Sequence, residues 1–327
     1  MEFQPRQPIA GADEGDWRVE PVPPEHTEAA LALIVGAGRG GTDIAAGVAA
    51  LRGYLDDDLP AGHILWWARD RAHPLAAALA VLSPGRTAVV LHSTTDTGGI
   101  PPEPLADLLA AMTRWVYRNG ATLVQALLPP SSHSDIHVFE QAGFRLLAEL
   151  IYMRQSLRGH HPAPIASSVT FGHYNARTHE PFARTIVASY ADSLDCPSLE
   201  GLRNIEDVLA GHKAAGVFRP DLWTLARVDG QPAGVVLLNQ NATQNVAEIV
   251  YMGVAKAFRG RGLGRALLAK AAQLAANDRF GAISLAVDAS NHFARKLYEG
   301  AGFVETSRRL AYVRTADADP GPSNDPL

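Results

Sequence analysis

The chain has 327 residues, 47% of them hydrophobic and 19% charged, with a formal net charge of -5. This is globular material long enough for about two domains, and an acidic balance without a basic block argues against a nucleic-acid surface. One cysteine, Cys196, excludes an intrachain disulfide or a cysteine-based metal cluster, and no apolar run reaches the roughly 18 residues of a membrane span.

The opening residues, MEFQPRQPIAGADEGDW, lack the basic and apolar stretches of a signal peptide, so a cytoplasmic location without membrane contact is expected. ILWWARD, PLAAALAVL and RTAVVLHS then read as successive strands, with Pro84-Gly85 as a turn. A loop from Thr94 to Leu105 leads into the helical pattern LADLLAAMTRWVYRNG and the apolar strand ATLVQALL. A short helix, His137-Val-Phe139-Glu140-Gln-Ala142-Gly143-Phe144, precedes a strand ending in IYMR at Arg154. The Pro- and His-rich stretch LRGHHPAPIAS separates the halves, with 159–167 as the linker.

In the second half, THEPFARTIVASY and GLRNIEDVLAGHKAAG have helical periodicity. DLWTLARV and QPAGVVLL flank Asp229-Gly230, a two-residue hairpin signal. The strand VAEIVYMGV then runs into Arg259-Gly260-Arg261-Gly262-Leu263-Gly264-Arg265, which opens the helix LGRALLAKAAQLAAN. Helix-opening N–H groups have no intrahelical partner and carry the positive end of the dipole. Three glycines let a phosphate approach the backbone, and three arginines add charge. A pyrophosphate-bearing ligand is the expectation; the alternative is a basic helix start with glycines for turning. The spacing is not the G-x-G-x-x-G of a dinucleotide fold, and no Lys-Ser/Thr pair marks a P-loop.

Farther on, the strand AISLAV precedes Asn291-His-Phe-Ala-Arg-Lys-Leu-Tyr298-Glu-Gly-Ala-Gly302-Phe303 and a last strand, FVETSRRLAYVR. Gly302 reads as a helix C-terminal cap. The polar, Pro-rich residues 315–327 read as a flexible tail. The segment around Phe139 repeats around Tyr298 at a constant offset (298 − 139 = 159), and the helix and strand before each copy also agree.

The two motifs together resemble the GNAT acetyltransferase superfamily, whose acyl-CoA loop reads Arg/Gln-x-x-Gly-x-Gly/Ala and whose closing motif is N-x-x-A-x-x-L-Y-E-x-x-G-F. The resemblance covers about 169–314. With the repeat, it implies an α/β (α+β) chain of two tandem GNAT-like domains, each a mixed, mostly antiparallel central sheet flanked by helices. Residues 1–158 form a degenerate copy, packed against the active one at 168–314 and able to wall its pocket. The first copy's loop has no arginine, an acidic residue where anion affinity is wanted, and prolines that remove donors. Phe139 there replaces Tyr298, and Ser132 replaces Asn291.

What the resemblance implies about chemistry is direct transfer of an acetyl group from acetyl-CoA to the primary amine of a small molecule. Arg259 to Arg265 cradle the cosubstrate, Met252 supplies an oxyanion N–H, and Val254, beyond Gly253, pairs with pantetheine, as does Asn291. Tyr298 is the acid for the leaving thiolate and Glu248, in a string like the "AEIV" of the histone-acetylating branch, is the base. Each has a plainer reading: core packing for Met252, a ring in the core with a wet hydroxyl for Tyr298, a helix N-cap for Asn291, a solvated strand residue for Glu248. Strand alternation puts Glu248, Val250 and Met252 on one face unless a bulge intervenes. Tyr190, Asp192 and Asp195 lie where acceptor loops occur and could hold a cationic acceptor, or could be turn residues. The histidines at 133, 137, 160 and 161 lack a ligand framework, so no metal is expected. The tandem layout with an active second half also resembles the mycothiol synthases, which acetylate a cysteinyl amino-sugar. A non-catalytic acyl-CoA sensor or scaffold is the reading from another class. The acceptor's identity and the oligomeric state are not encoded legibly.

Overall fold

The computed structural model describes residues 17–36, 43–56, 62–71, 73–96, 102–159, 168–196, 203–241 and 243–316. Most of the expected linker and tail, His160, His161, Pro197 and the middle of the first-half loop (97–101) lie outside those residues. Two compact units result, one of residues 1–147 with 310–327, the other of 148–309.

In the first unit the elements are β1 (Arg18–Pro21), α1 (Thr27–Gly36), α2 (Ile44–Asp56), β2 (His63–Arg69), β3 (Pro74–Ser83), β4 (Thr87–His92), α3 (Pro102–Arg118), β5 (Leu123–Leu128) and α4 (His133–Gln141). Neighbouring strands run antiparallel from β1 to β4, and β5 joins β4 in parallel. One face is closed by the apolar stripe of α3, with Leu105, Leu108, Leu109, Met112 and Val116 all buried.

The second unit holds β7 (Val169–His173), α5 (His179–Tyr190), α6 (Ile205–Ala214), β8 (Val217–Val228), β9 (Gln231–Gln240), β10 (Val246–Val254), α7 (Leu263–Asn277), β11 (Ala282–Asp288) and α8 (His292–Gly300). Again the strands are antiparallel except for one parallel pair, β10 with β11. Leu263, Leu267, Leu268 and Ala271 of α7 pack on one face, and Phe182 and Ile186 of α5 with Leu209 of α6 pack on the other. Asp229 and Gly230 both have positive φ (49° and 76°), the backbone of a two-residue hairpin turn.

The two remaining strands are exchanged. β6 (Arg145–Ser156) follows α4 in the chain, yet its Leu150–Ser156 stretch pairs antiparallel with β11 inside the second unit. β12 (Val304–Thr315) follows α8, yet its Leu310–Thr315 stretch pairs with β5 inside the first unit. Division by chain order and division by packing therefore differ: each unit is closed by a strand the other half encodes.

The repeat is carried through the backbone. Helices α4 and α8 begin and end at the same offset (292 − 133 = 159; 300 − 141 = 159). Both stop alike: Gly143 and Gly302 have φ of 81° and 90°, and Phe144 and Phe303 N–H groups return to the Phe139 and Tyr298 carbonyls at 2.9 and 3.0 Å.

Candidate active site

The parallel pairing of β10 with β11 runs from Val246 and Ala282 only as far as Ile249 and Leu285. Beyond that point the strands part, and Val250–Val254 and Leu285–Val287 line a cavity of about 550 Å³. The loop before α7 and the start of α8 close one side, and Ser189 with Asp192–Asp195 closes the other.

A β-bulge controls what β10 shows to that gap. Its register with β9 shifts between Ile249 and Tyr251, so Val250 and Tyr251 both pack toward α5 while Met252 and Val254 join the core under α7. Glu248 therefore shares a face with Val250 but not with Met252. Past the bulge, the Ala255 N–H bonds to the Ala233 carbonyl at 2.9 Å. Antiparallel pairs alternate, so Gly253 and Tyr251 are bonded to β9 while the N–H groups of Met252 and Val254 turn away from it, into the gap. Consistent with this, the Val254 carbonyl accepts from Arg259 Nε at 3.1 Å rather than from β9. Gly253 is required by crowding, since a Cβ there would meet the Tyr251 hydroxyl at 2.8 Å and collide with Ser189.

The loop before α7 has an open, glycine-shaped backbone. Gly260 and Gly262 have φ of 77° and 76°, the left-handed region that glycine enters without strain. No N–H from Gly260 to Arg265 donates a hydrogen bond among the described residues; the first bond of the helix is Ala266 to Gly262. Arg261 and Arg265 are exposed and make no ion pair among the described residues, Arg261 lying 5.6 Å from the Phe258 ring. Gly264 lets α7 approach Leu297 of α8.

Arg259 is tied to the backbone around it. Its guanidinium donates to the carbonyls of Val254 (3.1 Å), Asp192 (3.2 Å) and Ser189 (2.7 Å), the last a carbonyl at the C-terminal end of α5. It fastens β10 to the loop after α5. Asp192 is fastened too, by an ion pair with Lys256 at 2.5 Å that holds its carboxyl below the usual range. The Tyr190 ring packs edge-on to Tyr251 at 6.2 Å, outside the cavity lining, and burial pushes its phenol up to about 12. Of these three acceptor-loop residues, only Asp195 lines the cavity with no ion pair among the described residues, and burial raises its carboxyl.

Tyr298 sits on α8, buried, among the residues that line the cavity, its hydroxyl making no hydrogen bond among the described residues. Burial, then the charge of Asp195, raises its pKa, so the phenol stays protonated. Asn291 lines the cavity as well, but its Oδ1 accepts from the Ala294 N–H at 3.2 Å, the plain N-cap role. Glu248 lies below the splay, outside the cavity lining, half-buried, and burial raises its pKa. Among the described residues no three His, Cys, Asp or Glu side chains form a metal-binding cluster, and no helix is long and apolar enough to cross a membrane.

Sequence reasoning missed Tyr251 and Ser189, whose hydroxyls bond at 2.7 Å beside the gap. Spacing carried no signal for them, because the bulge decides which way Tyr251 points.

Comparison with known proteins agrees with this geometry. Residues 191–303 match the family model for the acetyltransferase (GNAT) family. A mycothiol acetyltransferase of Streptomyces griseus is 28% identical over 64% of this chain and 71% of its own length. An N-acetylaspartate synthetase of Danio rerio is 28% identical over 45% of this chain, which spans 47% of that relative. Among solved structures, a GCN5-related N-acetyltransferase from Sphaerobacter thermophilus superposes with a TM-score of 0.63 at 20% identity, over 94% of this chain and 97% of its own. A tandem GNAT protein from the clavulanic acid biosynthesis pathway gives 0.54 at 15% identity, over 94% and 100%. At such identities the structures show the fold, and the fold is that of tandem GNAT proteins.

Proposed function

The second unit belongs to the GNAT acetyltransferase family, and on that premise we propose that the chain is an acetyl-CoA-dependent N-acetyltransferase that acylates the primary amine of a small molecule. The observation that carries this is the gap at the end of β10, where two N–H groups turned away from β9, the glycine-rich loop before α7 and a buried tyrosine meet at one cavity. The cradle fits the group: six successive amides, Gly260 to Arg265, donate to nothing among the described residues, and at the left-handed Gly260 and Gly262 the backbone is open to a phosphate.

Acetyl-CoA supplies the activated thioester. The Met252 N–H, directed into the gap by the bulge, opposes the negative charge that develops on the acyl oxygen. Tyr298 holds its proton across the working pH range and presents it to the departing sulfur. Glu248, with its pKa raised toward that of a useful base, takes the ammonium proton through solvent, since it stands outside the cavity lining. The mycothiol acetyltransferase relative supports a second acceptor reading, a mycothiol precursor.

Release of free CoA, measured with acetyl-CoA and a panel of amino acids, polyamines, aminoglycosides and amino-sugar thiols, tests the proposal. Amine-dependent release supports it. Tight acetyl-CoA binding with no release for any amine supports the sensor reading instead.

A further inference from the structure

Three strands of the second unit, β10, β11 and β6, carry a row of side chains of which the mechanism above uses only Glu248. Glu248 is opposite Ser284 in the parallel pair, and Ser284 is opposite Arg154 in the antiparallel pair. One step along, Ala286 is opposite Tyr152. Residues directly opposite share a face, so Glu248, Ser284, Ala286, Tyr152 and Arg154 all point to one side of the sheet. The other side carries Ile249, Ile283, Leu285, Ile151 and Met153, all buried beneath α7. On the near side, the apolar cluster under α5 and α6 draws residues from β8, β9 and β10 and none from β11 or β6.

The small Ser284 and Ala286 thus form the floor of a trough about 10 Å across, two strand spacings. The cavity at the splay reaches this trough at Val250 and Ala286. A carboxylate, Glu248, stands on one wall. Tyr152 stands opposite, in electrostatic reach of both Glu248 and Arg309. Arg154 is exposed and has no hydrogen bond or ion pair among the described residues, and among them Arg309 donates only to the Arg308 carbonyl, at 2.7 Å. The trough therefore has an anion on one side and, on the other, two guanidiniums without a carboxylate partner among the described residues.

We propose that Tyr152, Arg154 and Arg309 form the acid-binding end of the acceptor site, and that the acceptor is an amine that also carries a carboxylate, as an amino acid does. The inference deepens the N-acetyltransferase reading and rests on it for the word acceptor. Charge complementarity favours this class: an ammonium end is drawn to Glu248 and a carboxylate end to the arginine forks, which bind carboxylates bidentately. A polyamine would bring like charge against Arg154, and a simple amine would leave both guanidiniums idle. Two of the three residues lie on β6, so the half of the sequence without chemistry of its own supplies the recognition of the substrate.

Two measurements test this. The first compares kcat/KM for proteinogenic amino acids, each against its decarboxylated amine. The wild type should favour the acid by about 10-fold or more, the worth of one hydrogen bond to a charged group. Arg154→Gln should collapse that preference, and Arg154→Lys should restore part of it. Equal activity on acid and amine in the wild type, or an equal loss on both in Arg154→Gln, overturns the proposal. The second is calorimetry with N-acetyltyrosine and N-acetyltyramine, and with the matched pairs of other side chains, which needs no turnover. Selective binding of the acid forms that Arg154→Gln abolishes sustains the subsite even if no amine is acetylated, an outcome that would sink only the enzymatic reading. Absence of any acid selectivity in binding sinks the subsite even in an active enzyme.

Discussion

Aligned by their repeat, the two units differ at five equivalent positions around the end of the strand that opens the cavity in the second unit. Where the second unit has Glu248, the first has Val89. Where the bulge frees the Met252 N–H, the first unit's strand has a continuous register, and the equivalent Ser93 N–H is bonded to the Ala77 carbonyl at 2.8 Å. Tyr251 and Tyr298 both line the cavity; their counterparts His92 and Phe139 are in contact, ring centroids 4.8 Å apart, and burial lowers the His92 pKa. Ala294 is replaced by buried Asp135, whose carboxylate accepts from Thr94 Oγ1 (2.5 Å), Thr95 N–H (2.8 Å) and Thr95 Oγ1 (3.0 Å). The first unit is thus not merely short of catalytic side chains. Two rings meet at the equivalent place, the donor is spent on the sheet, and Thr94 and Thr95 at the start of the loop are bonded to Asp135.

The sharpest way to break this contrast is to give the second unit the first unit's residue. Tyr298→Phe should lower kcat by about 10²–10⁴-fold, the usual worth of a positioned acid, with acetyl-CoA affinity by calorimetry unchanged. Equal turnover would make Tyr298 a packing residue like Phe139.

Next in size is Gly262→Glu, which forces a side chain into a left-handed position and sets a carboxylate at the phosphate cradle. Acetyl-CoA affinity should fall about 100-fold, and the wild type should titrate with one site per chain. Two equal sites in calorimetry would show that the first unit still binds.

Glu248→Gln should reduce the rate near neutral pH by about 10²-fold, with the acidic limb of the pH–rate profile moving toward the acceptor's own pKa. Burial raises the folded-state pKa of Glu248 above its unfolded value, so its ionisation at neutral pH costs the fold something. That contribution favours the fold at low pH and is lost as pH rises through the folded pKa. The Gln variant should therefore melt no lower than wild type at pH 7, which separates a lost base from a lost fold.

The smallest effect is in the first unit. Asp135→Ala strips three hydrogen bonds from Thr94 and Thr95 and should cost about 2 kcal/mol in denaturant melts. It should leave the stoichiometry of acetyl-CoA binding at one, because the two rings in contact and the spent Ser93 donor remain. A second site appearing in this variant would mean that the clamp alone had silenced the unit.

Much of this was legible in the chain. The 159-residue offset, the helix stops at Gly143 and Gly302, the Asp229-Gly230 turn and the glycines before α7 are local features, and local features survive in sequence. Helices α1 and α2 were not read, since alanine-rich stretches such as TEAALALIVG mark no clear face. The partners of Arg259 were not legible because composition gives a charge and not the three carbonyls that its guanidinium bonds. The bulge in β10 left no mark either, and it decides both the direction of the Met252 N–H and the separation of Glu248 from Met252. Nor could spacing reveal that Tyr152 and Arg154 serve the second unit, because strand pairing is a long-range choice.

Exchange of the closing strands also bears on how such a gene can be cut. Separating it near codon 160 yields two polypeptides, each carrying the other's missing edge and each exposing an unpaired strand, β5 in one and β11 in the other. Expressed singly, either piece is an aggregation hazard; expressed together, they are ready-made complementing fragments. A lineage that fused two copies in this manner could let one copy's chemistry decay, but it could no longer delete that copy.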